Sequence, residues 1–104
     1  MSETKPKELL AQASRDMAGA FSARLCAIGV ELGIFQDLDR NGRSTSEQIA
    51  TRIGLNERYL REWLHGIVLS GYVEFDKTTR EAWLSAQQAQ VLVDEGGRFA
   101  HSGR

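Results

Sequence analysis

The longest hydrophobic pattern of the chain lies in its first third. Apolar residues recur there at intervals of three or four positions, which is the spacing of one face of an α-helix. The series is Leu10, Ala13, Met17, Phe21, Leu25, Ile28, Leu32 and Phe35. It predicts a long amphipathic helix over residues 8–32 that ends near Gly33. This helix would be about 36 Å long, whereas the radius of gyration of a compact domain of this size is about 13 Å.

Because the helix is longer than its domain, we expect part of its apolar face to extend beyond the core. That part would pack on a second copy of the chain or on another domain of the same polypeptide. We expect a homodimer with Met17, Phe21, Leu25 and Ile28 at the interface. The alternative is a pair of shorter helices that break near Gly19 and pack internally.

A second helical pattern lies in the middle of the chain and runs into a strand. Its apolar residues are Leu60, Trp63, Leu64, Ile67 and Val68, again on one helical face. Asn56 is placed to cap the start of this helix, and Gly71 is placed to end it. Residues 72–75 then have the aromatic and β-branched content of a strand.

A shorter helix precedes this one. Residues 33–43 predict a short helical turn and a loop, with the turn at Asn41 and Gly42. Either Thr45 with Gln48 or Ser44 with Glu47 has the spacing of a capping box. The helix that follows would end at Gly54, so residues 45–70 form a helix-turn-helix.

A returning strand and a last helix complete the predicted fold. Residues 82–84 can pair with residues 72–75, and Ser85 can cap a helix that stops at residues 96–97. The fold class is therefore mainly α: a winged helix-turn-helix with a long N-terminal helix and a small β-hairpin wing. We expect a flexible lead over residues 1–7, the domain over residues 8–95 and a flexible tail over residues 96–104.

The charge of the chain argues against a nucleic-acid partner. It carries 13 Lys and Arg against 14 Asp and Glu, a net charge of −1, whereas nucleic-acid-binding domains usually carry a basic excess. If the second helix of the motif did read DNA, Asn56, Arg58 and Arg61 would make the contacts. However, Arg58 with Glu62 and Glu57 with Arg61 have the i,i+4 spacing of ion pairs on a solvated face.

Candidate catalytic and metal-binding residues are few. His65 falls on the polar face of its helix, and His101 lies in the tail without a second ligand at a metal spacing. Cys26 has no neighbouring base and is expected to be inert. Asp37 and Asp39 adjoin a turn, and we expect them to serve as turn or cap residues. The sequence contains no Gly-rich phosphate-binding loop, so we predict no catalytic, cofactor-binding or metal-binding residue.

The expected location is the cytoplasm. One cysteine cannot form an internal disulfide, and the first residues contain no apolar leader. No apolar run approaches the roughly 18 residues that would span a membrane, so no membrane partner is expected.

Three segments together resemble a known family. They are residues 28–38 (IGVELGIFQDL), residues 46–64 (SEQIATRIGLNERYLREWL) and residues 71–75 (GYVEF). In combination they resemble the N-terminal winged-helix domain of class I S-adenosylmethionine-dependent methyltransferases of the small-molecule O-methyltransferase type. The resemblance covers residues 8–95.

The resemblance implies a domain that dimerises and helps to close a substrate pocket. In that family the methyl donor binds a separate Rossmann-like domain downstream, so S-adenosylmethionine is expected as the cofactor of a full-length parent. The chain reaches Arg104 before any donor-binding loop, and we expect it to be inactive alone. Two alternatives remain: a winged-helix transcription regulator that binds DNA, and a stand-alone protein-interaction module.

Overall fold

A computed structural model describes residues 5–95 of the chain. Five α-helices, two strands and one π-helical segment follow one another. They are α1 (Lys5–Glu31), α2 (Ile34–Asn41), α3 (Ser46–Ile53), α4 (Glu57–Leu69), β1 (Glu74–Asp76), β2 (Glu81–Trp83), α5 (Ala86–Ala89) and the π-helical segment Gln90–Asp94. The predicted class is confirmed: a mainly helical winged helix-turn-helix with a long first helix and a two-stranded antiparallel wing.

Helix α1 is continuous through Gly19, so the alternative of two shorter helices is wrong. The described part of α1 begins at Lys5, and residues 5–7 are therefore helical rather than part of a lead. Residues 1–4 and 96–104, where a lead and a tail were expected, lie outside the described residues. At 27 residues the helix is about 40 Å long, and the long axis of the molecule is 56 Å.

Two glycines allow α1 to approach the rest of the core closely. A Cβ atom on Gly29 would lie 2.5 Å from Phe35 Cε2 and 2.7 Å from Trp63 Cζ2. A Cβ atom on Gly66, in α4, would lie 2.8 Å from Leu25 Cδ1. Neither position has room for a Cβ atom. The backbone of each helix is therefore in direct contact with side chains of the other: Gly29 of α1 with Trp63, and Gly66 of α4 with Leu25.

Trp63 fixes this contact with a polar bond as well as with its ring. Its indole Nε1 donates a 2.9 Å hydrogen bond to the Leu25 carbonyl oxygen, and the ring meets Phe35 at a centroid distance of 5.5 Å. A buried indole N–H needs such a partner. The central role expected of the α4 apolar face is confirmed, and the most deeply buried residues around it are Ile34, Phe35, Leu38, Ile49, Leu60, Ile67 and Leu92.

The helix starts follow the capping residues. Thr45 and Gln48 form a reciprocal capping box at α3, and the Asn56 side chain accepts from the Tyr59 amide at α4. The alternative box of Ser44 with Glu47 is wrong, because Ser44 is buried. Its backbone forms an antiparallel bridge with Ala82 of β2.

The wing is a hairpin in which Phe75 is the residue opposite Ala82. Arg43 holds its outer side: the guanidinium bonds Asp76 at 3.2 Å and Glu81 at 3.1 Å, and it lies 4.0 Å from the centre of the Trp83 ring. The first strand is one residue shorter than the predicted 72–75 and begins two residues later, and the second is shifted by one residue from the predicted 82–84. After β2, Ser85 caps α5 as predicted, through a reciprocal box with Gln88.

Candidate functional site

An uncovered apolar stripe runs along the N-terminal half of α1. We define the α1 stripe as Leu10, Ala13, Met17 and Phe21, which lie on one side of the helix because they are three or four residues apart. The side chains of Leu10, Met17 and Phe21 are 69%, 73% and 61% exposed. Several large apolar side chains together on one face are typical of an interaction surface.

The predicted interface residues separate into two groups. Met17 and Phe21 are exposed, whereas Leu25 is 7% exposed and Ile28 packs against the buried core of the same chain. Leu25 is therefore occupied by the crossing with Gly66. The part of the predicted set that remains open to a partner is Met17 and Phe21, and the interface itself stays a prediction.

The outer face of α4 carries the residues of the DNA-binding alternative. Both expected pairs are present: Arg58 lies 3.7 Å from Glu62, and Arg61 lies 3.9 Å from Glu57. The Asn56 side chain is engaged as the helix cap. Each of the three candidate side chains thus has a partner within its own helix.

A groove of about 650 Å³ lies between α4 and the wing. Its apolar lining comes from Leu64 and Val68 of α4 and from Phe75 of β1. Its charged lining consists of three cations, Arg61, Lys77 and Arg80, and two carboxylates, Glu47 and Glu57. Sequence patterns did not indicate this groove, because it exists only where the hairpin folds back beside α4.

A partly buried ion pair joins α2 to α3. Asp37 was expected to serve a turn or a cap, but its main partner lies in another helix. Its side chain is 8% exposed. Its carboxylate accepts from Arg52 Nη2 at 2.6 Å and from Arg52 Nε at 3.0 Å (Oδ1) and 3.1 Å (Oδ2). The hydrogen bond to Asp37 raises the pKa of Arg52. Arg52 Nη2 also donates to the Ser44 hydroxyl at 2.7 Å, while Asn41 Nδ2 bonds the Asp37 carboxylate at 3.1 Å. This network connects the helix-turn-helix to the wing, and its role is structural.

His65 and Cys26, the remaining candidates that the structure describes, do not form a reactive centre together. His65 is exposed and lines the groove, while Cys26 is buried, and burial raises the pKa of its thiol. His101 lies outside the described residues. Within residues 5–95 no three His, Cys, Asp or Glu side chains are grouped as metal ligands.

The helices were also compared with the requirements of a membrane span. Among the described helices none is by itself long and apolar enough, and only α1 and α2 taken together, with a 66° bend between them, meet the criteria. The α2 half of that pair contributes buried residues to the core.

A family comparison agrees with this architecture. The sequence profile of the Rv2258c-like winged HTH domain matches residues 20–94. The chain belongs to this family. No curated protein sequence matches the chain significantly.

Two solved structures are similar to this chain in fold. The mitomycin 7-O-methyltransferase MmcR superposes with a TM-score of 0.74 and 25% sequence identity over 97% of this chain and 30% of its own. PigF, in a structure with SAH, superposes with a TM-score of 0.70 and 23% identity over 79% of this chain and 24% of its own. The chain thus spans less than a third of either protein, and it is similar to methyltransferase N-terminal regions in fold.

Proposed function

We propose that this chain is the dimerisation and substrate-pocket-closing N-terminal domain of a methyltransferase that uses S-adenosylmethionine, and that it is not catalytic by itself. The observation that carries the dimerisation role is the exposed α1 stripe on a helix whose other half is buried in the core. Two copies could cover the stripe mutually, as a two-fold interface requires.

The size of the α1 stripe suits this role. Fully burying a Leu, Met or Phe side chain is worth about 1.5–3 kcal/mol, and Leu10, Met17 and Phe21 are each more than 60% exposed in the single chain. Six such side chains meet in a symmetric dimer. This gain is large enough to offset much of the cost of association, which is about 4–15 kcal/mol.

The role in a larger enzyme rests on the shared fold. MmcR is named as an O-methyltransferase and the PigF structure contains SAH, while this chain corresponds to less than a third of either. The methyl donor would then bind a downstream domain. If this is right, the reading frame beyond Arg104 encodes a strand, a Gly-rich turn and a helix, the pattern that binds a nucleoside cofactor.

Light scattering after size exclusion tests the dimerisation. We expect the 104-residue chain to be dimeric at high micromolar concentration and Met17→Glu to raise the dimer dissociation constant at least tenfold, because a charge would be buried at an apolar contact. Ala23→Glu is the matched control: it adds the same charge at an exposed position that lies about 120° around α1 from Met17, and it should leave the dimer intact. A strict monomer, or equal effects of the two substitutions, would refute the proposal.

Donor binding and DNA binding separate the alternatives. Calorimetry with S-adenosylhomocysteine should show no binding to the 104-residue chain, and measurable binding would contradict a downstream donor site. The DNA-binding regulator predicts a salt-sensitive shift of duplex DNA at micromolar protein that Arg58→Ala and Arg61→Ala weaken. We expect no such shift, because Glu57 and Glu62, beside the two arginines, would repel phosphates.

A further inference from the structure

We propose that the groove between α4 and the wing binds a small organic acid: a carboxylate attached to an aromatic or aliphatic body. The proposal does not depend on dimerisation, since none of the α1 stripe lines the groove. It rests on the size of the groove, on the distribution of charge around it and on the backbone of the wing.

The volume and lining of the groove suit a small molecule. Small-molecule sites usually measure about 300–1,000 Å³ and combine apolar walls with a few polar groups. At about 650 Å³ this groove falls inside that range. The apolar body of a ligand would lie on Leu64, Val68 and Phe75.

Some of the charged side chains around the groove have ion-pair or hydrogen-bond partners, and others have no ion pair among residues 5–95. Glu57 accepts from the Ser46 hydroxyl at 2.7 Å and pairs with Arg61. The side chains of Lys77 and Arg80, in contrast, make no ion pair within residues 5–95. The groove lining therefore has a net charge of +1 with His65 uncharged, although the chain as a whole has a net charge of −1.

Arg43 engages the two acids that adjoin Lys77 and Arg80 in the sequence. The two nearest acids of the hairpin, Asp76 and Glu81, both bond the Arg43 guanidinium. These carboxylates are thus engaged by a residue that does not line the groove. Lys77 and Arg80 are left to face an incoming anion.

The hairpin turn determines where Arg80 lies. Its φ angle is +61°, the left-handed region that Gly or Asn usually occupies. Among residues 5–95, Arg80 alone adopts a positive φ without being glycine. Hairpin loops such as residues 77–80 commonly end on a left-handed residue, and here that position carries a cation beside the groove.

A compact anion fits this lining better than a polyanion. A nucleic acid would bring a row of phosphates past Glu47 and Glu57, which line the same groove and would repel them. A single carboxylate can lie beside Lys77 and Arg80 while its apolar body lies on the groove floor. The geometry therefore favours a small acid over DNA.

The test is an NMR titration of the isotopically labelled 104-residue chain with 2-naphthoate and, separately, with neutral 2-naphthamide. We expect naphthoate to shift the resonances of Leu64, Val68 and residues 77–80, and the amide to bind at least fivefold more weakly. Lys77→Ala and Arg80→Ala should each weaken naphthoate binding at least fivefold, whereas Arg80→Lys, which keeps the charge, should stay within twofold.

Arg58→Ala is the control, because Arg58 lies on the same helix as the groove floor but does not line the groove. It should leave naphthoate binding unchanged. The amide spectrum of each variant shows directly that it is folded. Equal binding of acid and amide, shifts centred on another surface, or no shift at millimolar naphthoate would each overturn the proposal. So would displacement of naphthoate by a short DNA duplex, which would make the groove part of a polyanion-binding surface.

Discussion

Gly29 and Gly19 lie in the same helix, and the structure predicts opposite effects of the same substitution at the two positions. Replacing a glycine inside a helix by alanine favours the helix by about 1 kcal/mol. A Cβ atom on Gly19 would have nothing within 4 Å. Gly19→Ala should therefore stabilise the chain by about this amount, which raises the melting temperature of a domain this small by roughly 4–8 °C.

The same methyl group on Gly29 would meet two buried rings. Its three nearest atoms, on Phe35 and Trp63, would lie at 2.5, 2.7 and 2.8 Å. Phe35 is 0% exposed, Trp63 is 4% exposed and the Trp63 indole is tied to Leu25, so neither ring has free space to enter. Overpacking of this kind costs about 1–3 kcal/mol, and three close contacts favour the upper end.

The helix-propensity gain is common to both variants and cancels in their difference. We therefore expect Gly29→Ala to be less stable than Gly19→Ala by about 3 kcal/mol. Urea unfolding followed by circular dichroism, at one protein concentration below dimerisation, measures both free energies of unfolding. If the two variants differed by less than about 0.5 kcal/mol, the close contact of α1 with Trp63 and Phe35 would be wrong.

Three further predictions concern the polar groups. Asp37→Ala should reduce the free energy of unfolding by about 1–3 kcal/mol, because Arg52, whose side chain is 31% exposed, loses its partner. Arg58→Ala, which breaks an exposed pair, should change it by less than about 1 kcal/mol. Equal losses in urea unfolding would contradict this. Cys26 should react with a thiol reagent only as fast as the chain unfolds, because the thiol is buried and burial raises its pKa; fast labelling of the folded chain would argue against that burial. The amides of Thr78 and Thr79, together with Arg43, lower the pKa of Asp76. The contribution of Asp76 to stability is therefore present above the usual Asp pKa of about 4 and is lost as the pH falls through the lowered value. Asp76→Asn should show a smaller fall in melting temperature between pH 6 and pH 3 than the unsubstituted chain, and an equal or larger fall would contradict the assignment.

The helices and their starts could be predicted because they depend on short-range patterns. The spacing of Leu60, Trp63 and Ile67 is a local property of one helix, and so is the reach of the Thr45 or Asn56 side chain to an amide three residues on. These interactions need no knowledge of the rest of the fold. The choice between Thr45 and Ser44 as the cap did need it, because Ser44 is withdrawn into a bridge with a strand almost 40 residues away.

Most of the features that escaped prediction depend on long-range contacts. Asp37 and Arg52 are 15 residues apart and lie in different helices, so no sequence period joins them. The apolar series of α1 is uniform from Leu10 to Ile28, and the sequence alone does not indicate where the core stops covering it. The groove beside α4 requires the hairpin to return to that helix, and the positive φ of Arg80 has no signal in residue type.

The bridge between Ser44 and Ala82 also bears on aggregation. An unpaired strand edge is a template on which another chain can add a strand. On one side of the wing, Ser44 exchanges two backbone hydrogen bonds with Ala82 of β2, so that edge is partly closed. The other edge belongs to β1, which has three residues, two of them the acids Glu74 and Asp76. A short acidic edge disfavours strand addition, so this wing is protected against the edge-to-edge growth that leads to β-rich aggregates.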